Sequence, residues 1–259
     1  MDPTPRRLLE VALAAADAAG AAAMRWFRDP PPTETKADGT PVTIADREAE
    51  RVLRETILRA VPSHAILGEE DGEVAGAAPY RWIVDPIDGT KSFVRGVPLW
   101  GTLVAVERDG EPVAGVCAMP ALGETVAAAR GEGCTWNGRP CHVSGTTRLA
   151  DALLVCTSSR SGRRRTPAFQ RLEDAVQFVR GWSDCWAYCL VATGRADVAV
   201  DPTMKPWDCG PFVTILEEAG GRFTDWTGKR TIHGGDAVAS NGLVHDAALA
   251  ILAGGGRAG

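Results

Sequence analysis

The sequence predicts a protein of mixed class, α+β in its first half and α/β in its second. From about residue 150 onward, apolar runs of strand length alternate with longer runs that have helical periodicity. Before that point, two helical stretches are followed by consecutive short strands that tight turns connect. We therefore expect an N-terminal half over residues 1–148 and a C-terminal half over residues 149–259, packed together as layers of helix and sheet.

The N-terminal half should begin with two helices. Residues 5–28 form the first, because Pro5 suits a first helical turn and the segment "DPPPT" stops the run. The second covers about residues 44–60, where apolar residues recur at helical spacing. The segment "ETKADGTPVT" between them predicts a hairpin.

Short strands fill the rest of this half. Asp109–Gly110 is the strongest hairpin signal, since Asp-Gly adopts the backbone of a two-residue turn, and Asn137–Gly138 is another such turn. The expected strands are "AILGEEDG", "RWIVD", both arms of "GTLVAVERDGEPVAGVCAMP", "ETVAAAR" and "CTWNGRPCHV".

Strands and helices alternate along the second half. A single helix is expected over "PWDCGPFVTILEEAGG", which follows the strand "DVAVD". The other expected strands are "ALLVCTS", "FVRGW" and "RFTDW", the other helices are "PAFQRLEDAVQ" and "CWAYCLVATG", and one more strand and helix end the chain. This order is typical of an α/β arrangement.

Composition excludes several classes of protein. The chain has 259 residues, 45% of them hydrophobic, which suffices for a large core, and its net charge of −5 makes nucleic acid an unexpected partner. The one basic cluster, Arg160 with Arg163–Arg165, is expected to be a solvated loop. Charged residues interrupt the Ala-rich N-terminus, so we expect neither a signal peptide nor a membrane span.

Cysteine usage indicates a reducing compartment. The seven cysteines are odd in number and contain no C-x-x-C pair, so they predict neither a disulfide framework nor a zinc site. Cys185 and Cys189 are interpreted as small core residues. We therefore expect a cytoplasmic protein.

Carboxylates stand at the ends of three predicted elements. Glu69 and Glu70 follow the apolar run "AIL". Asp85 and Asp88 follow "WIV", and Asp208 lies at the start of a helix. Side chains at element ends can converge on a cleft, and oxygen ligands without His or Cys suit a hard divalent ion such as Mg²⁺.

Two interpretations of "WIVDPIDGTKSF" are open. Asp88–Gly89 could be an ordinary turn with Asp85 as a strand-end cap, which is a common use of Asp-Gly pairs. Alternatively, Asp85 is a carboxylate shared by two ions, as in two-metal phosphoryl chemistry, because desolvated acids this close repel unless a cation separates them. The following "GTKSF" suggests a helix start whose N–H groups at Gly89, Thr90 and Lys91 would hold a phosphate.

The motifs "GEEDG", "WIVDPIDGTKSF" and "PWDCGPFVTILEEAGG" together resemble the signature motifs of the inositol monophosphatase superfamily, which are Mg²⁺-dependent, lithium-sensitive phosphomonoesterases. The resemblance extends over nearly the whole chain and is closest to the histidinol-phosphate phosphatase branch, through "LVATGRADVAVDP" and "AVASNGLVHDAAL". It implies the sugar-phosphatase fold, an alternating α-β-α-β-α layered sandwich.

The resemblance also implies a set of metal ligands. Glu69, Asp85 and the main-chain carbonyl of Ile87 would bind one Mg²⁺. Asp85, Asp88 and Asp208 would bind a second, and a weaker third ion would depend on Glu69. Two to three Mg²⁺ ions per active site are thus expected.

Other residues gain roles from the same resemblance. Thr90 and Asp46 would share a proton relay that activates the attacking water, and Lys36 would lie on a mobile loop that closes over the site. Asp46 has a second interpretation as a helix N-cap, and Lys36 as an ordinary exposed lysine. Glu70 is interpreted as a residue behind the ligands or facing solvent.

The implied reaction is hydrolysis of L-histidinol phosphate, a step of histidine biosynthesis. Histidinol carries an amine and an imidazole, so its pocket should offer carboxylates, and Asp184 and Asp201 are the expected contacts. Asp184 has an alternative role as a helix N-cap, for which Ser183 competes. Trp182 and Trp186 are expected to pack in the core rather than to stack on the imidazole.

Two other functions stay open. Inositol-1-phosphate, or a broad set of sugar and polyol phosphates, presents the same phosphoester chemistry. A regulatory protein that only binds a partner belongs to another class, against which the complete acid set and the acidic balance argue. We expect a homodimer, with the hairpin "GTLVAVERDGEPVAGVCAMP" and its neighbours as the interface.

Overall fold

The first part of the fold begins with two long helices joined by a small hairpin. The structure is a computed structural model, and it describes residues 2–29, 31–36, 39, 41–182 and 184–254. Helices α1 (Pro5–Phe27) and α2 (Ile44–Ala60) pack side by side, and strands β1 (Glu34–Thr35) and β2 (Pro41–Val42) pair antiparallel. Both helices match their predicted bounds to within one residue, whereas the turn of the expected hairpin lies partly outside the described residues.

An eight-stranded mixed sheet, the large sheet, follows. Its strands are β3 (Ala65–Gly68), β4 (Gly72–Val74), β5 (Tyr80–Asp88), β6 (Gly101–Arg108), β7 (Glu111–Met119), β8 (Glu124–Ala129), β9 (Gly133–Trp136) and β10 (Arg139–Pro140). They are arranged β10-β9-β8-β7-β6-β5-β3-β4; the β3–β5 pair is parallel and the other pairs are antiparallel. The turns at Asp109–Gly110 and Asn137–Gly138 have positive φ at both residues, as predicted for two-residue hairpins.

Helices α1 and α2 cover one face of the large sheet. The buried stripe of α1 consists mostly of alanines that are 0% exposed, namely Ala12, Ala15, Ala16, Ala19 and Ala23. Such small side chains let the helix approach the strands closely, so the layer is filled by large side chains such as Trp82 on β5 and Trp100, which directly precedes β6. Among the described residues none of the helices, α1 included, is long and apolar enough to cross a bilayer.

The second part contains a five-stranded sheet, the small sheet. After a short 3₁₀ segment at Leu149–Asp151, its strands are β11 (Leu153–Val155), β12 (Phe178–Arg180), β13 (Val198–Asp201), β14 (Arg222–Thr224) and β15 (Ala237–Ser240). Their order is β12-β11-β13-β15-β14, in which β12, β11 and β13 are parallel and the remaining pairs antiparallel. The remaining helices are α3 (Thr90–Phe93), α4 (Ser159–Arg165), α5 (Pro167–Ala175), α6 (Cys185–Ala192), α7 (Pro206–Cys209), α8 (Phe212–Glu218) and α9 (His245–Ala253).

Three apolar cores join these elements into one sandwich. One lies between the large sheet and helices α1 and α2, and another between the small sheet and helices α5 and α9. The third, the middle core, lies between the two sheets and contains α6 and α8. This order of layers confirms the predicted α-β-α-β-α sandwich. The boundary between residues 148 and 149 falls between the two sheets, and its meaning as a domain boundary stays a prediction.

Two local predictions were wrong. The single helix expected from Pro206 divides into α7 and α8 at Gly210–Pro211, because proline has no N–H for the intrahelical bond and crowds the preceding turn. The arginine cluster forms helix α4 rather than a solvated loop. Its N-cap is Ser158, whose hydroxyl accepts the Ser161 N–H at 3.2 Å.

Ion pairs hold two arginines of α4 in place. Arg163 Nε lies 2.6 Å from a carboxylate oxygen of Glu173 on α5. Arg165 pairs with Asp236, and its guanidinium lies over the ring of Trp226 at 5.0 Å from the ring centroid. These contacts explain why a run of like charges adopts a helix instead of extending into solvent.

The β6–β7 hairpin lies in the interior of the large sheet rather than at an edge. Both strands are buried along nearly their whole length, with α1 on one face and α8 on the other. These strands are therefore covered by the chain itself, and the dimer interface expected on the hairpin and its neighbours stays a prediction. Only the turn from Arg108 to Glu111 is exposed.

Close packing between β7 and the α7–α8 break gives a stability prediction. A Cβ at Gly115 would lie 2.4 Å from the Pro211 carbonyl oxygen, so Gly115→Ala should lower the free energy of unfolding by about 2 kcal/mol through overpacking. Gly145→Ala is the control, because a Cβ there meets nothing within 4 Å. Denaturant unfolding of both variants measures the difference, and equal stabilities would contradict the packing described here.

Candidate active site

A β-bulge brings two acidic side chains to one face of β5. Up to Asp85 successive side chains of the strand point to opposite faces of the sheet, and that of Ile83 faces the middle core. Pro86 has no N–H to donate to the ladder, and the register shifts between Asp85 and Asp88. The bulge adds one residue to β5, so the side chains after it point to the opposite face from the one that regular alternation would give. Asp88 therefore lies on the same face as Asp85, toward the middle core. The Thr102 hydroxyl donates to the Pro86 carbonyl at 2.9 Å and satisfies the interrupted backbone.

The third acid comes from the second part of the chain. Asp208 is the third residue of α7, where its carboxylate accepts the Lys205 N–H at 2.8 Å. One oxygen each of Asp85, Asp88 and Asp208 lies within 4.8 Å of the others, and we call these three residues the acid cluster. The expected convergence of carboxylates from separate elements is thus observed for these three side chains.

Main-chain donors also orient the two acids of β5. Asp85 Oδ1 accepts the Ile87 N–H at 3.0 Å, and Asp88 Oδ2 accepts the Cys185 N–H at 2.5 Å. Cys185 begins α6, so this bond ties the large sheet to the middle layer. The Cys185 main chain is a part of the site that the sequence did not reveal.

Burial and mutual repulsion raise the pKa values of the acid cluster. Burial is the main cause for Asp85, whose pKa is raised well above its ordinary value, and the charges of Glu69, Asp88 and Asp208 add to it. Burial also raises the pKa of Asp88, with further contributions from Asp184 and Asp208. Burial raises the pKa of Asp208 to about 7. Positive charge is what would stabilise the ionised cluster.

The donor set therefore fits a hard divalent cation. Carboxylate oxygens at this spacing are ligands that Mg²⁺ prefers, and Glu69 and Ile87 border the same cavity as the acid cluster. The residues named in the predicted ligand set thus lie together. Their assignment to particular ions stays a prediction.

Lys36 binds two glutamates, one of which, Glu69, borders the cavity. Its Nζ is 2.7 Å from Glu69 Oε1 and 2.6 Å from Glu70 Oε1. Burial works to lower the pKa of Lys36, but the hydrogen bonds to both glutamates outweigh it and the pKa is raised. The Glu70 side chain is only 7% exposed, and burial raises its pKa to about 7. Of the two interpretations of Glu70, the solvent-facing one is wrong.

Asp46 connects the start of α2 with Thr90. Its Oδ2 accepts both the N–H and the hydroxyl of Thr43 at 2.7 Å, while the Thr90 hydroxyl lies 3.4 Å from its Oδ1. Thr43 is the N-cap of α2, so the N-cap interpretation of Asp46 is wrong, although Asp46 completes a capping box. Burial raises the pKa of Asp46. The Thr90 hydroxyl is also 3.1 Å from the Ile87 carbonyl oxygen.

A glycine turn starts α3 next to the cluster. Gly89 has φ 85°, and a Cβ there would lie 2.9 Å from the Leu99 carbonyl oxygen, so glycine is required for both conformation and space. Thr90 and Lys91 follow as the first helical residues, whose N–H groups have no acceptor within a helix. All three predicted phosphate-binding residues border the cavity.

These groups open into a cleft of about 320 Å³ that takes residues from both parts of the chain. Asp184 borders it with an unusual backbone, φ 53° and ψ −149°, which residues other than glycine rarely adopt. Although Asp184 stands at the N-cap position of α6, its carboxylate makes no capping bond among the described residues, and its charge raises the pKa values of Asp88 and Asp208. Ser183 lies outside the described residues.

Asp201 borders the cleft with both carboxylate oxygens bound. Oδ1 accepts the Thr157 N–H at 2.9 Å, and Oδ2 accepts the Tyr188 hydroxyl at 3.0 Å. Asp201 is 2% exposed, and burial raises its pKa. Thr157 and Tyr188 belong to this wall without having been singled out by the sequence. Direct contact between Asp201 and a substrate stays a prediction.

The two tryptophans near Asp184 differ in burial. Trp182 is 40% exposed, so the expectation that it packs in the core is wrong. Trp186 is half-buried against the middle core, and its ring centroid lies 6.2 Å from that of Trp182. Cys185 and Cys189 are each 1% exposed, which confirms their interpretation as core residues.

Comparison with known proteins identifies the family. Residues 4–254 match the profile of the Inositol monophosphatase family. The chain belongs to this family. A histidinol-phosphatase from Chlorobaculum parvum is 42% identical over 236 residues, which are 90% of this chain and 91% of the relative. A histidinol-phosphatase from Mycobacterium tuberculosis is 45% identical over 227 residues, which are 85% of this chain and 87% of the relative.

Solved structures agree with the family. The structure of an inositol monophosphatase from Anabaena (Nostoc) sp. superposes with a TM-score of 0.85 at 33% identity and covers 98% of both chains. As a member of the inositol monophosphatase family, this chain is a phosphoric monoester hydrolase, as predicted. Members of the family are metal-dependent, in agreement with the chemistry of the acid cluster.

The raised pKa values predict how Mg²⁺ and pH act on stability. Because the folded-state pKa of Asp208 is about 7, the folded protein holds more protons than the unfolded chain between pH ~4 and ~7. The free energy of unfolding without metal should therefore fall as pH rises through that window. Mg²⁺ binds the deprotonated carboxylates, so it should raise the melting temperature more at pH ~8 than at pH ~5.5.

Thermal unfolding with and without Mg²⁺ at both pH values measures this effect. Glu55→Gln is the control, because Glu55 forms an exposed pair with Arg51 on α2. It should respond to Mg²⁺ and pH as the wild type does. A Mg²⁺-induced shift of equal size at both pH values would contradict the prediction.

Proposed function

We propose that this chain is a Mg²⁺-dependent histidinol-phosphatase that hydrolyses L-histidinol phosphate to L-histidinol and phosphate. The observation that carries the proposal is the similarity to two histidinol-phosphatases along 85–90% of the chain. The carboxylates of Asp184 and Asp201 on the cleft wall support it, since the leaving alcohol carries an amine and an imidazole.

The acid cluster would hold the metal ions. Glu69, Asp85 and the Ile87 carbonyl would bind one Mg²⁺, while Asp85, Asp88 and Asp208 would bind a second, with Glu69 supporting a weaker third. When bound, Mg²⁺ supplies positive charge that lowers the pKa of water and neutralises phosphoryl oxygens. The raised pKa values of the cluster support this assignment, because an unneutralised set of buried acids favours a cation.

Thr90 and Asp46 would move the proton of the attacking water. Thr43 binds Asp46 Oδ2 through two donors and so fixes the carboxylate, which leaves Oδ1 directed at the Thr90 hydroxyl. Thr90 can accept a proton from water while donating its own toward Asp46. Because burial raises the pKa of Asp46, this carboxylate is a better base than an exposed aspartate.

The start of α3 would seat the phosphate. Gly89, Thr90 and Lys91 border the cleft, and their main-chain N–H dipoles would stabilise charge on phosphoryl oxygens. Lys36 would close over the occupied site. Its ammonium group is bound by Glu69 and Glu70, and Glu69 borders the cleft.

Asp184 and Asp201 would recognise the leaving group. The charge of Asp184 acts on the acid cluster, so the same carboxylate is close enough to attract an amine on an ester bound there. Asp201 would contribute chiefly through its negative charge, because Thr157 and Tyr188 already occupy its oxygens. We further propose a cytoplasmic homodimer, for which the family resemblance is the support.

Inositol-1-phosphate is the second candidate substrate. The similarity of this fold to an inositol monophosphatase at 33% identity favours it. We expect kcat/KM for L-histidinol phosphate to exceed that for inositol-1-phosphate by about a hundredfold, since a site built to bind a charged group discriminates against ligands that lack it. Steady-state assays of both esters with Mg²⁺ make the comparison. A preference for inositol-1-phosphate would reverse the assignment.

Replacement of Thr90 tests the proton relay. Thr90→Ala should lower kcat by about a hundredfold or more while weakening Mg²⁺ binding much less, because the hydroxyl would act on water and not chiefly on the metal. Thr90→Ser keeps the hydroxyl and should retain most activity. Asp85→Asn, which should abolish turnover, defines the lower limit of the assay. A larger loss of Mg²⁺ affinity than of kcat in Thr90→Ala would remove Thr90 from the relay.

A further inference from the structure

Glu50 is a buried carboxylate that the proposed reaction does not use. It lies on α2, about one turn after Asp46, and is 0% exposed. An ionised side chain removed from water is unfavourable unless other groups bind it. The groups that bind Glu50 therefore indicate its role.

Glu50 and Arg54 together hold the turn between β3 and β4. Glu50 Oε2 accepts the Glu70 N–H at 2.7 Å, and Glu50 Oε1 accepts the Asp71 N–H at 3.0 Å. Arg54, also on α2, donates to Glu50 Oε1 from Nε at 2.9 Å and from Nη2 at 2.8 Å. The same Nη2 lies 2.5 Å from the Gly72 carbonyl oxygen. Two donors and one acceptor of the turn's main chain are thus bound by a single ion pair on α2.

Gly68, the last residue of β3, has no side chain and so leaves room for the Glu50–Arg54 pair. A Cβ at Gly68 would lie 2.1 Å from Glu50 Oε1 and 2.6 Å from Arg54 Nη2. A side chain of any size at this position would displace the carboxylate from the turn. The strand end and the ion pair therefore fit each other closely.

Glu69 lies inside the turn that Glu50 holds. Its neighbours along the chain are Gly68, against which Glu50 packs, and Glu70, whose N–H Glu50 binds. The Glu69 residue itself borders the cleft. Glu50 thus fixes the main chain on both sides of a residue whose side chain points to the site. One turn earlier on the same helix, Asp46 contacts Thr90, so α2 supports two separate walls of the cleft.

We infer that Glu50 is a positioning residue for Glu69: the buried Glu50–Arg54 pair sets the backbone of the Glu69 turn and thereby the affinity of the cation site to which Glu69 contributes. The inference rests on the proposed metal site and adds to it a residue that acts only through the main chain. Substitution of Glu50 should therefore change Mg²⁺ binding more than it changes the chemical step.

The test compares Glu50→Gln with a matched control. Glu107→Gln also removes the charge of a buried glutamate, since Glu107 on β6 is 3% exposed and pairs with Arg81 at 2.9 Å. Isothermal titration calorimetry measures Mg²⁺ affinity, and amide hydrogen exchange of residues 69–72 in metal-free protein reports the turn. Glu50→Gln should weaken Mg²⁺ binding about tenfold or more and speed exchange at Glu70 and Asp71, with kcat at saturating Mg²⁺ nearly retained.

The control should lose stability without either change. If folded Glu50→Gln bound Mg²⁺ as tightly as the wild type, the inference would be overturned. A double variant with Glu69→Gln supplies a second criterion. If Glu50 acts through Glu69, the double variant binds Mg²⁺ no more weakly than Glu69→Gln alone, whereas additive losses would contradict that route.

Arg54→Lys serves if Glu50→Gln does not fold. It retains a positive charge beside Glu50 but removes the planar group that reaches both Glu50 and the Gly72 carbonyl, so Mg²⁺ affinity should fall in the same direction. Unchanged affinity would again overturn the inference. A wild-type protein that neither binds Mg²⁺ nor hydrolyses the ester would refute the proposed function as well, whereas a normal wild type with an unaffected variant refutes the positioning role alone.

Discussion

Crowding of carboxylates at the junction of two sheets is the constraint on which the site depends. Two unit charges about 5 Å apart repel by about 3 kcal/mol at the effective dielectric constant of a partly buried site. Asp85, Asp88 and Asp208 are subject to this repulsion together, and each is held in place by a main-chain N–H. Main-chain donors orient the acids without neutralising them. The cluster therefore favours an external cation, and the chemistry of a metal-dependent phosphatase follows from that preference.

Each wall of the cleft is built by a different backbone device. The bulge at Pro86 reverses the alternation of β5, the left-handed Gly89 turns the chain into α3, and the start of α7 presents Asp208. Helix α2 supports two parts of the cleft: Asp46 contacts the Thr90 hydroxyl, and Glu50 accepts the Glu70 N–H in the turn that contains Glu69. Main-chain geometry and buried hydrogen bonds therefore fix these parts of the site.

Local signals in the sequence were enough for most of the fold, whereas the grouping of Asp85, Asp88 and Asp208 was expected from their places at element ends and from the family resemblance. Hairpins with Asp-Gly and Asn-Gly turns and helices with regular apolar spacing depend on neighbours in sequence, and the structure reproduces them. Helix α4 was missed because its stabilising partners, such as Asp236, are distant along the chain. Thr157 and Tyr188 were missed for the same reason, since only the tertiary structure brings them to Asp201.

Some errors left a usable signal. Pro211 inside a helical pattern marks a break between α7 and α8 that periodicity alone conceals. The buried stripe of α2 contains Glu50 beside Ala49 and Leu53, and a charge on an apolar face indicates a buried partner.

The middle core has a wider consequence, because it takes side chains from both sheets while Asp85 and Asp208 come from opposite parts of the chain. If the chain were divided in the linker between the two sheets, each fragment would expose apolar surface of the middle core to water. The active site would form again only when the two fragments associate.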